Sequence, residues 1–373
     1  MTKLGDVLTI SANKSTHISD KNWLLNLDMV QQQTGEILAY NYVTANELCG
    51  SIIGFDNNVV LYSKLRPNLN KVVLPDKYGF CTSELLPLLP DSKQLNREYL
   101  AWFLRSDSFV NWAVTKTAGA KMPRLGTKEL LSKEIPLPEL STQRRIADTL
   151  DKVSEGIEVC RRMLGELDLM VKAKFVEMFG EPIANTHSLP LIPLSEIGNW
   201  SSGGTPSRST PAYFEGNIDW YSAGELNTLY LEGSIEKITQ DALENSAAKL
   251  FSAGSMLVGM YDTAALKMGI LKRSSASNQA CACIEPNDNI DIVWLYHVLQ
   301  IMKPHFLEQR RGIRQKNLNL GMIKSFQVPY APKSEQKLFA SFVTKIDKSK
   351  LTIQGIRDKM ETEKLALMQG YFG

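Results

Sequence analysis

Arginine, lysine and side-chain amides stand together in four stretches that contain no acid. Between Asn57 and Pro75 these are Lys64, Arg66 and Lys71; between Val110 and Lys128 they are Lys116, Lys121, Arg124 and Lys128. Further on, Thr263 to Ile284 holds Lys267, Lys272 and Arg273, and Gln309 to Asn319 holds Arg310, Arg311, Arg314 and Lys316. Gln315, Asn317, Asn319 and the run Ser277-Asn278-Gln279 interleave amides with the bases. Guanidinium and ammonium groups neutralise phosphates, Arg forks onto guanine O6/N7, and Asn or Gln matches adenine N6/N7. The chemistry on offer is noncovalent reading of duplex DNA. Any one stretch also fits an ordinary solvated face; four at matching places favour DNA. The formal net charge is only +2, so binding has to come from local patches.

Covalent chemistry has no such support. The chain has no phosphate-binding G-x-x-x-x-G-K-[ST] loop, no G-x-G-x-x-G and no H-E-x-x-H, and it lacks the Asn-Pro-Pro-Tyr or Asp-Pro-Pro-Tyr of amino-methyltransferases. His17, His187, His297 and His305 lie in unrelated contexts, and His297, inside an apolar stretch, reads as a packed residue. Five cysteines without a C-x-x-C pair predict reduced, buried thiols; Cys281 and Cys283 fall on one face of a strand and read as core. No catalytic residue, cofactor or metal is expected. The opening Met1-Thr2-Lys3-Leu4-Gly5-Asp6 has no apolar leader, and no run approaches a membrane span, which predicts a cytoplasmic protein.

The elements that position the basic stretches are written twice. Residues 136–180 align without a gap on 329–373: Pro136 falls on Pro329, Gln143 on Gln336, Ala147 on Ala340, Lys152 on Lys345 and Phe179-Gly180 on Phe372-Gly373. In the first copy Ile146, Leu150, Val153, Ile157, Cys160, Leu164, Leu167 and Val171 alternate steps of four and three, an a/d heptad seam. In the second, Phe339, Ile346, Ile353, Met360 and Leu367 recur every seventh residue, and the alternate seam position carries Val343, Lys350, Arg357 and Lys364. Asp151, Glu155, Glu158 and Glu166 lie near the first seam, so the basic seam positions are expected to meet acids across a helix pair. The alternative is two amphipathic helices, each packed on its own domain.

Ahead of each helix lies a unit of mixed composition. Leu4-Gly-Asp-Val7 echoes Leu194-Ser-Glu-Ile197, and Asn22-Trp23 echoes Asp219-Trp220. Val59-Val60-Leu61-Tyr62 and Met256-Leu257-Val258 read as strands, Leu100–Leu104 and Trp294–Leu299 as short helices. Just before the long helices, Ala118–Leu125 and Arg311–Leu318 share a glycine, one base and a final leucine, while their other residues differ, as reading loops on a common frame would. The expected fold class is α+β: two globular mixed α/β domains in tandem, each followed by a long helix. The helices are expected to pair as an antiparallel coiled coil with pseudo-two-fold symmetry. The expected boundaries are 1–135, 136–183, 184–328 and 329–373.

Six further stretches stand out: Gly203-Gly204-Thr205-Pro206-Ser207-Arg208, Tyr213-Phe214, Ile218-Asp219-Trp220-Tyr221, Leu257-Val258-Gly259, Leu140-Ser-Thr-Gln143-Arg144 and Lys174-Phe-Val-Glu-Met-Phe-Gly180. On these the chain resembles, across essentially its whole length, the DNA-specificity (S) subunits of type I restriction-modification enzymes. The resemblance implies two target-recognition domains, each reading one half of a bipartite site, with the long helices as spacer and docking surface. Two methyltransferase subunits and the restriction motor subunits are the implied partners besides double-stranded DNA. It adds Gly203, Thr205 and Arg208 to the DNA-binding candidates Lys64, Arg66, Lys121, Arg124, Lys267, Lys272, Arg310, Arg311, Arg314, Lys316 and Asn317. The first domain has Ser11-Ala-Asn-Lys-Ser-Thr16 in place of the glycine-threonine-proline motif. The competing readings are a recognition subunit of a methylation-only system, a coiled-coil scaffold that does not touch DNA, and a nuclease with dispersed carboxylates.

Overall fold

The strand from Val60 to Ser63 is buried on both faces, and its alternate side chains feed two different cores. Val60 and Tyr62 join a cluster with Leu100, Phe103 and Phe109, whereas Leu61 points the other way onto Trp23, Leu25 and Phe55. A period of two places successive residues on opposite sides, so such a run must lie between two layers. The computed structural model describes residues 1–11, 20–48, 51–119, 121–308 and 317–373. By contacts these fall into two units: Met1–Arg162 with Gln354–Gly373, and Met163–Ile353. Each unit therefore takes one part of both long helices.

In the first unit one four-stranded sheet runs in the order Leu8–Ile10, Leu85–Pro90, Val60–Ser63, Val72–Val73. The other runs Asn41–Val43, Asn22–Leu25, Gly79–Thr82, Ile52–Phe55. The second unit repeats this plan. Gly198–Ser202, Cys281–Pro286, Met256–Gly259 and Met268–Leu271 form one sheet, extended by Tyr230–Leu231, and Glu236–Ile238, Ile218–Tyr221, Ser275–Ser277 and Leu250–Phe251 form the other. Even the parallel pairing is shared: Leu24 lies opposite Phe80, and Trp220 opposite Ala276. Cys281 and Cys283 face the second sheet while Ala282 and Ile284 face the helices. Cys81, Cys160, Cys281 and Cys283 are free and buried; Cys49 lies outside the described residues.

A short antiparallel clasp closes each unit ahead of its long helix: Thr2–Lys3 with Glu134–Ile135, and Leu191–Pro193 with Gln327–Pro329. The long helices follow at Leu140–Phe179 and Lys333–Phe372. Gly180, at φ +75°, ends the first with its N–H on Val176 O at 2.9 Å, a left-handed cap that favours glycine. Gly373 makes the same contact with Gln369 O at 2.8 Å.

The paired glutamines lock these helices to their domains. Gln143 is fully buried; its Oε1 accepts from Asn96 N at 2.8 Å, and its Nε2 donates to Gln94 O at 2.8 Å and Pro138 O at 2.7 Å. Gln336, equally buried, accepts from Asp291 N at 2.7 Å and donates to Asn289 O at 3.3 Å and Ala331 O at 2.7 Å. In both cases one amide satisfies the backbone just before a domain helix, Arg97–Arg105 or Ile292–Glu308, and just before the long helix itself.

The long helices pair antiparallel. In the first unit Ile146, Ala147 and Leu150 share a core with Phe372, and Arg161 reaches Glu361. In the second, Val171, Phe175 and Phe179 pack with Phe339, Val343 and Ile346, and Lys350 reaches Asp168. Residue numbers rise on one helix as they fall on the other, and the two helices exchange roles between the units. Ile146, Leu150, Ile157, Phe339 and Ile346 are buried; Val153, Leu164, Leu167, Ile353 and Met360 are half-buried, so the seam is thin in places.

The charge pattern of the seam differs from expectation. Lys350 meets Asp168 at 2.5 Å, but Arg357 turns to Asp358 at 2.7 Å on its own helix, and Lys364 lies 4.9 Å from the Trp102 ring centroid. Asp151 accepts from Trp102 Nε1 at 2.9 Å, and Glu158 holds Arg161 one turn along its own helix. Long flexible cations on a thin seam reach the nearest acceptor, which is often intrahelical.

Candidate nucleic-acid interface

Two segments some 60 residues apart in the first unit meet edge to edge. Lys64 O accepts from Leu125 N at 2.9 Å, Arg66 N donates to Pro123 O at 2.8 Å, and Leu65 bridges Arg124. Lys64, Arg66 and Arg124 are thereby brought together. Arg66 is exposed and left-handed, at φ +50°, a strained setting for a residue with a Cβ. Thr117–Ala118 pairs with Arg124–Leu125 in a short hairpin, and exposed Lys121 stands in its loop. The Arg124 side chain forks onto Glu84: Nε lies 3.2 Å from both carboxylate oxygens, and Nη2 lies 3.0 Å from Oε1.

The second unit anchors Leu318 in the same way, its N donating to Met260 O at 2.8 Å. Leu125 and Leu318 are both buried, at the same place in the repeat. Arg310, Arg311, Arg314 and Lys316 lie outside the described residues; Asn317 is described and half-buried beside Leu318. Half-buried Lys267 and exposed Tyr261 belong to the adjoining turn, where Gly259 N donates to Lys267 O at 2.8 Å.

The glycine-threonine-proline motif is a joint between the two sheets. Gly203 is buried, its N–H on Cys281 O at 3.1 Å, and a Cβ there would come within 2.4 Å of Asn278 O. Gly203 is therefore buried in this joint rather than exposed. The Thr205 hydroxyl bonds to Gln279, and Gly204 O accepts from Trp220 Nε1 at 3.0 Å. Exposed Arg208 forks onto Glu236 at 2.5 and 2.8 Å, its guanidinium 4.2 Å from the Phe214 ring centroid and 5.2 Å from that of Trp220. Lys272 pairs with Glu232 at 2.6 Å.

The stretches that lack acids in sequence do not lack them in space. Glu84, Glu232 and Asp219 reach Arg124, Lys272 and Arg273 from other segments, because neighbouring strands carry residues 40 or more positions away. Nothing in the sequence around Glu84, Glu232 or Glu236 marks them for this part. A cleft of about 960 Å³ in the first unit holds Arg105, Arg161 and Lys364 beside Asp151, Glu158 and Glu361, so it selects neither sign of charge. Among the described residues no His, Cys, Asp and Glu group could hold a metal ion, and no helix is long and apolar enough to cross a membrane.

His297 belongs to the packing of the second unit. Its ring lies 5.3 Å from those of Phe339 and Tyr296, and its buried Nε2 has no hydrogen-bond partner among the described residues. Burial pushes its pKa down to about 4; Lys350 adds to the shift and Asp168 opposes it. The unfolded chain takes up this proton near pH 6.5, the folded chain only near 4. Between those values the unfolded state binds the extra proton, so stability rises with pH across that window. His297→Phe should therefore flatten the rise in urea stability between about pH 5 and about pH 7, by on the order of 1–3 kcal/mol. An unchanged pH difference would assign the dependence to another group.

A model of the type I restriction modification DNA specificity domain matches residues 1–167 and again 191–362. The chain belongs to this family and carries its domain twice. The specificity subunit of the Escherichia coli type I restriction enzymes EcoR124I/EcoR124II is 26% identical over 160 residues, which span 41% of this chain and 40% of that protein. The Methanocaldococcus jannaschii MjaIX specificity subunit is 24% identical over 162 residues, 41% of this chain and 37% of its own length. Each alignment thus spans about two fifths of the relative's length. The fold resembles that of the S subunit of a type I restriction-modification system from M. genitalium, with a TM-score of 0.66 at 15% identity over 100% of this chain and 95% of the other. It also resembles a chain from a study of complex assembly and conformational transition in the type I R-M system, with a TM-score of 0.60 at 17% identity over 100% and 96%.

Proposed function

We propose that the chain is the sequence-reading subunit of a type I restriction-modification complex, recognising a bipartite duplex target with one half-site per domain. The observation that carries this is the shared anchoring of the two loops. The Leu125–Lys64 and Leu318–Met260 hydrogen bonds fix the two leucines at one place in the repeat, while the residues between Gly119 and Leu125 differ in sequence from those between Gly312 and Leu318. A constant frame with variable Arg, Lys, Gln and Asn suits the reading of two different sequences. In this reading Lys64, Arg66, Lys121, Arg124, Thr205, Arg208, Lys267, Lys272, Arg310, Arg311, Arg314, Lys316 and Asn317 face DNA, and Gly203 shapes the turn beneath them. The chain performs no catalysis itself. Two methyltransferase subunits and the restriction subunits dock on the long helices, where Val159 and Leu365 in one unit and Leu169 and Leu351 in the other leave apolar side chains exposed. The complex works in the cytoplasm.

Duplex retention by the purified full chain tests this. The log of the binding constant should fall linearly with log salt, by about 0.9 per phosphate neutralised. Co-expression with its methyltransferase should place methyl groups at a split motif. A chain that retains no duplex even at low salt would instead be a scaffold.

A further inference from the structure

We propose that Arg124 reads a guanine in the major groove and that Glu84 is its positioning residue. The inference rests on the reading of the chain as a DNA-recognition subunit and assigns one residue pair to one base. The Arg124 backbone is fixed on two sides, by the hairpin to Ala118 and by the bridge to Leu65. Its side chain is 44% exposed, and Glu84 occupies the Nε and Nη2 edge of the guanidinium at 3.0 to 3.2 Å. The end of the group remains: Nη1 has no hydrogen-bond partner among the described residues. An Arg held along one edge presents Nη1 and the second Nη2 hydrogen in a fixed plane, the geometry that guanine O6 and N7 accept.

Charge decides between base and phosphate. The Arg124–Glu84 pair has no net charge, so as a phosphate contact it would defeat itself: the carboxylate repels the phosphate that the guanidinium attracts. A guanine edge is neutral and asks only for oriented donors, so the same carboxylate improves recognition by fixing the plane in advance. Among the described residues no carboxylate clamps Lys64, Arg66 or Lys121 in the adjoining loops, and these remain to hold the backbone.

The full chain, co-expressed with its methyltransferase, first yields its methylated motif. Retention is then measured on that duplex, on variants carrying each base pair of the half-sites exchanged in turn, and on an unrelated duplex. Arg124→Lys keeps the charge and loses the fork; it should lower discrimination at one G·C pair of one half-site roughly five- to a hundredfold. Glu84→Gln keeps the shape and loses the charge; it should weaken discrimination at that same pair, leaving affinity for the unrelated duplex equal or higher. Intact discrimination at every position in both variants would overturn the assignment. So would a uniform loss on all duplexes with the salt slope lower by about one, the mark of a phosphate contact. Wild-type chain that retains no duplex would overturn the functional reading along with it.

Discussion

Gln336→Leu should destabilise the second unit by about 3 kcal/mol or more, and Gln143→Leu the first unit by a similar amount. Leucine fills the space but takes the side-chain partner from one backbone N–H and two carbonyls of a partly buried joint, at about 1–3 kcal/mol for each group that water does not reach. For Gln336 these are Asp291 N, Asn289 O and Ala331 O; for Gln143 they are Asn96 N, Gln94 O and Pro138 O. Hydrogen exchange followed by mass spectrometry would place each loss, because the affected amides open the domain helix and the start of the long helix together. If both variants unfold at the wild-type urea midpoint, the amides are not what fastens helix to domain.

Proline within either long helix should cost as much. Val153→Pro and Ile353→Pro each remove an i to i−4 hydrogen bond and drive a ring into the preceding turn, at about 3 kcal/mol or more. Both sites lie where the seam is only half-buried, so little packing opposes the kink. Beyond lost stability, each should abolish co-purification with the methyltransferase. Normal assembly of both variants would separate partner docking from helix pairing.

Much of the fold was legible because its signals are periodic. The seam residues from Ile146 to Val171 and from Phe339 to Leu367 announced two long helices, and the gapless match of Pro136–Gly180 with Pro329–Gly373 announced the repeat. The loop frame of Leu125 and Leu318 was visible too, since a buried leucine after a glycine survives while its neighbours change. What stayed hidden depends on pairing in space. Glu84 lies 40 positions from Arg124 in an unremarkable turn, and backbone contacts such as the Leu65–Arg124 bridge and the Lys64–Glu84 hydrogen bond bring them together. The partners of Arg357 and Lys364 were equally illegible, because a long cation on a thin seam chooses among several acceptors within reach. Gly203 read as a ligand-facing residue from its motif, yet its burial follows from the close approach of Asn278.

The first unit combines Met1–Arg162 with Gln354–Gly373, and Phe372 packs on Tyr99 and Phe103 at ring distances of 5.2 and 5.9 Å. Its core is thus closed by a segment translated after residues 163–353. At about 5–20 residues per second those intervening residues take on the order of 10–40 seconds to emerge. For that interval the nascent first unit lacks one wall of its core, and the second unit, continuous along the chain, has every residue it needs first. The order in which the ribosome delivers the two domains is the reverse of the order in which they can finish folding.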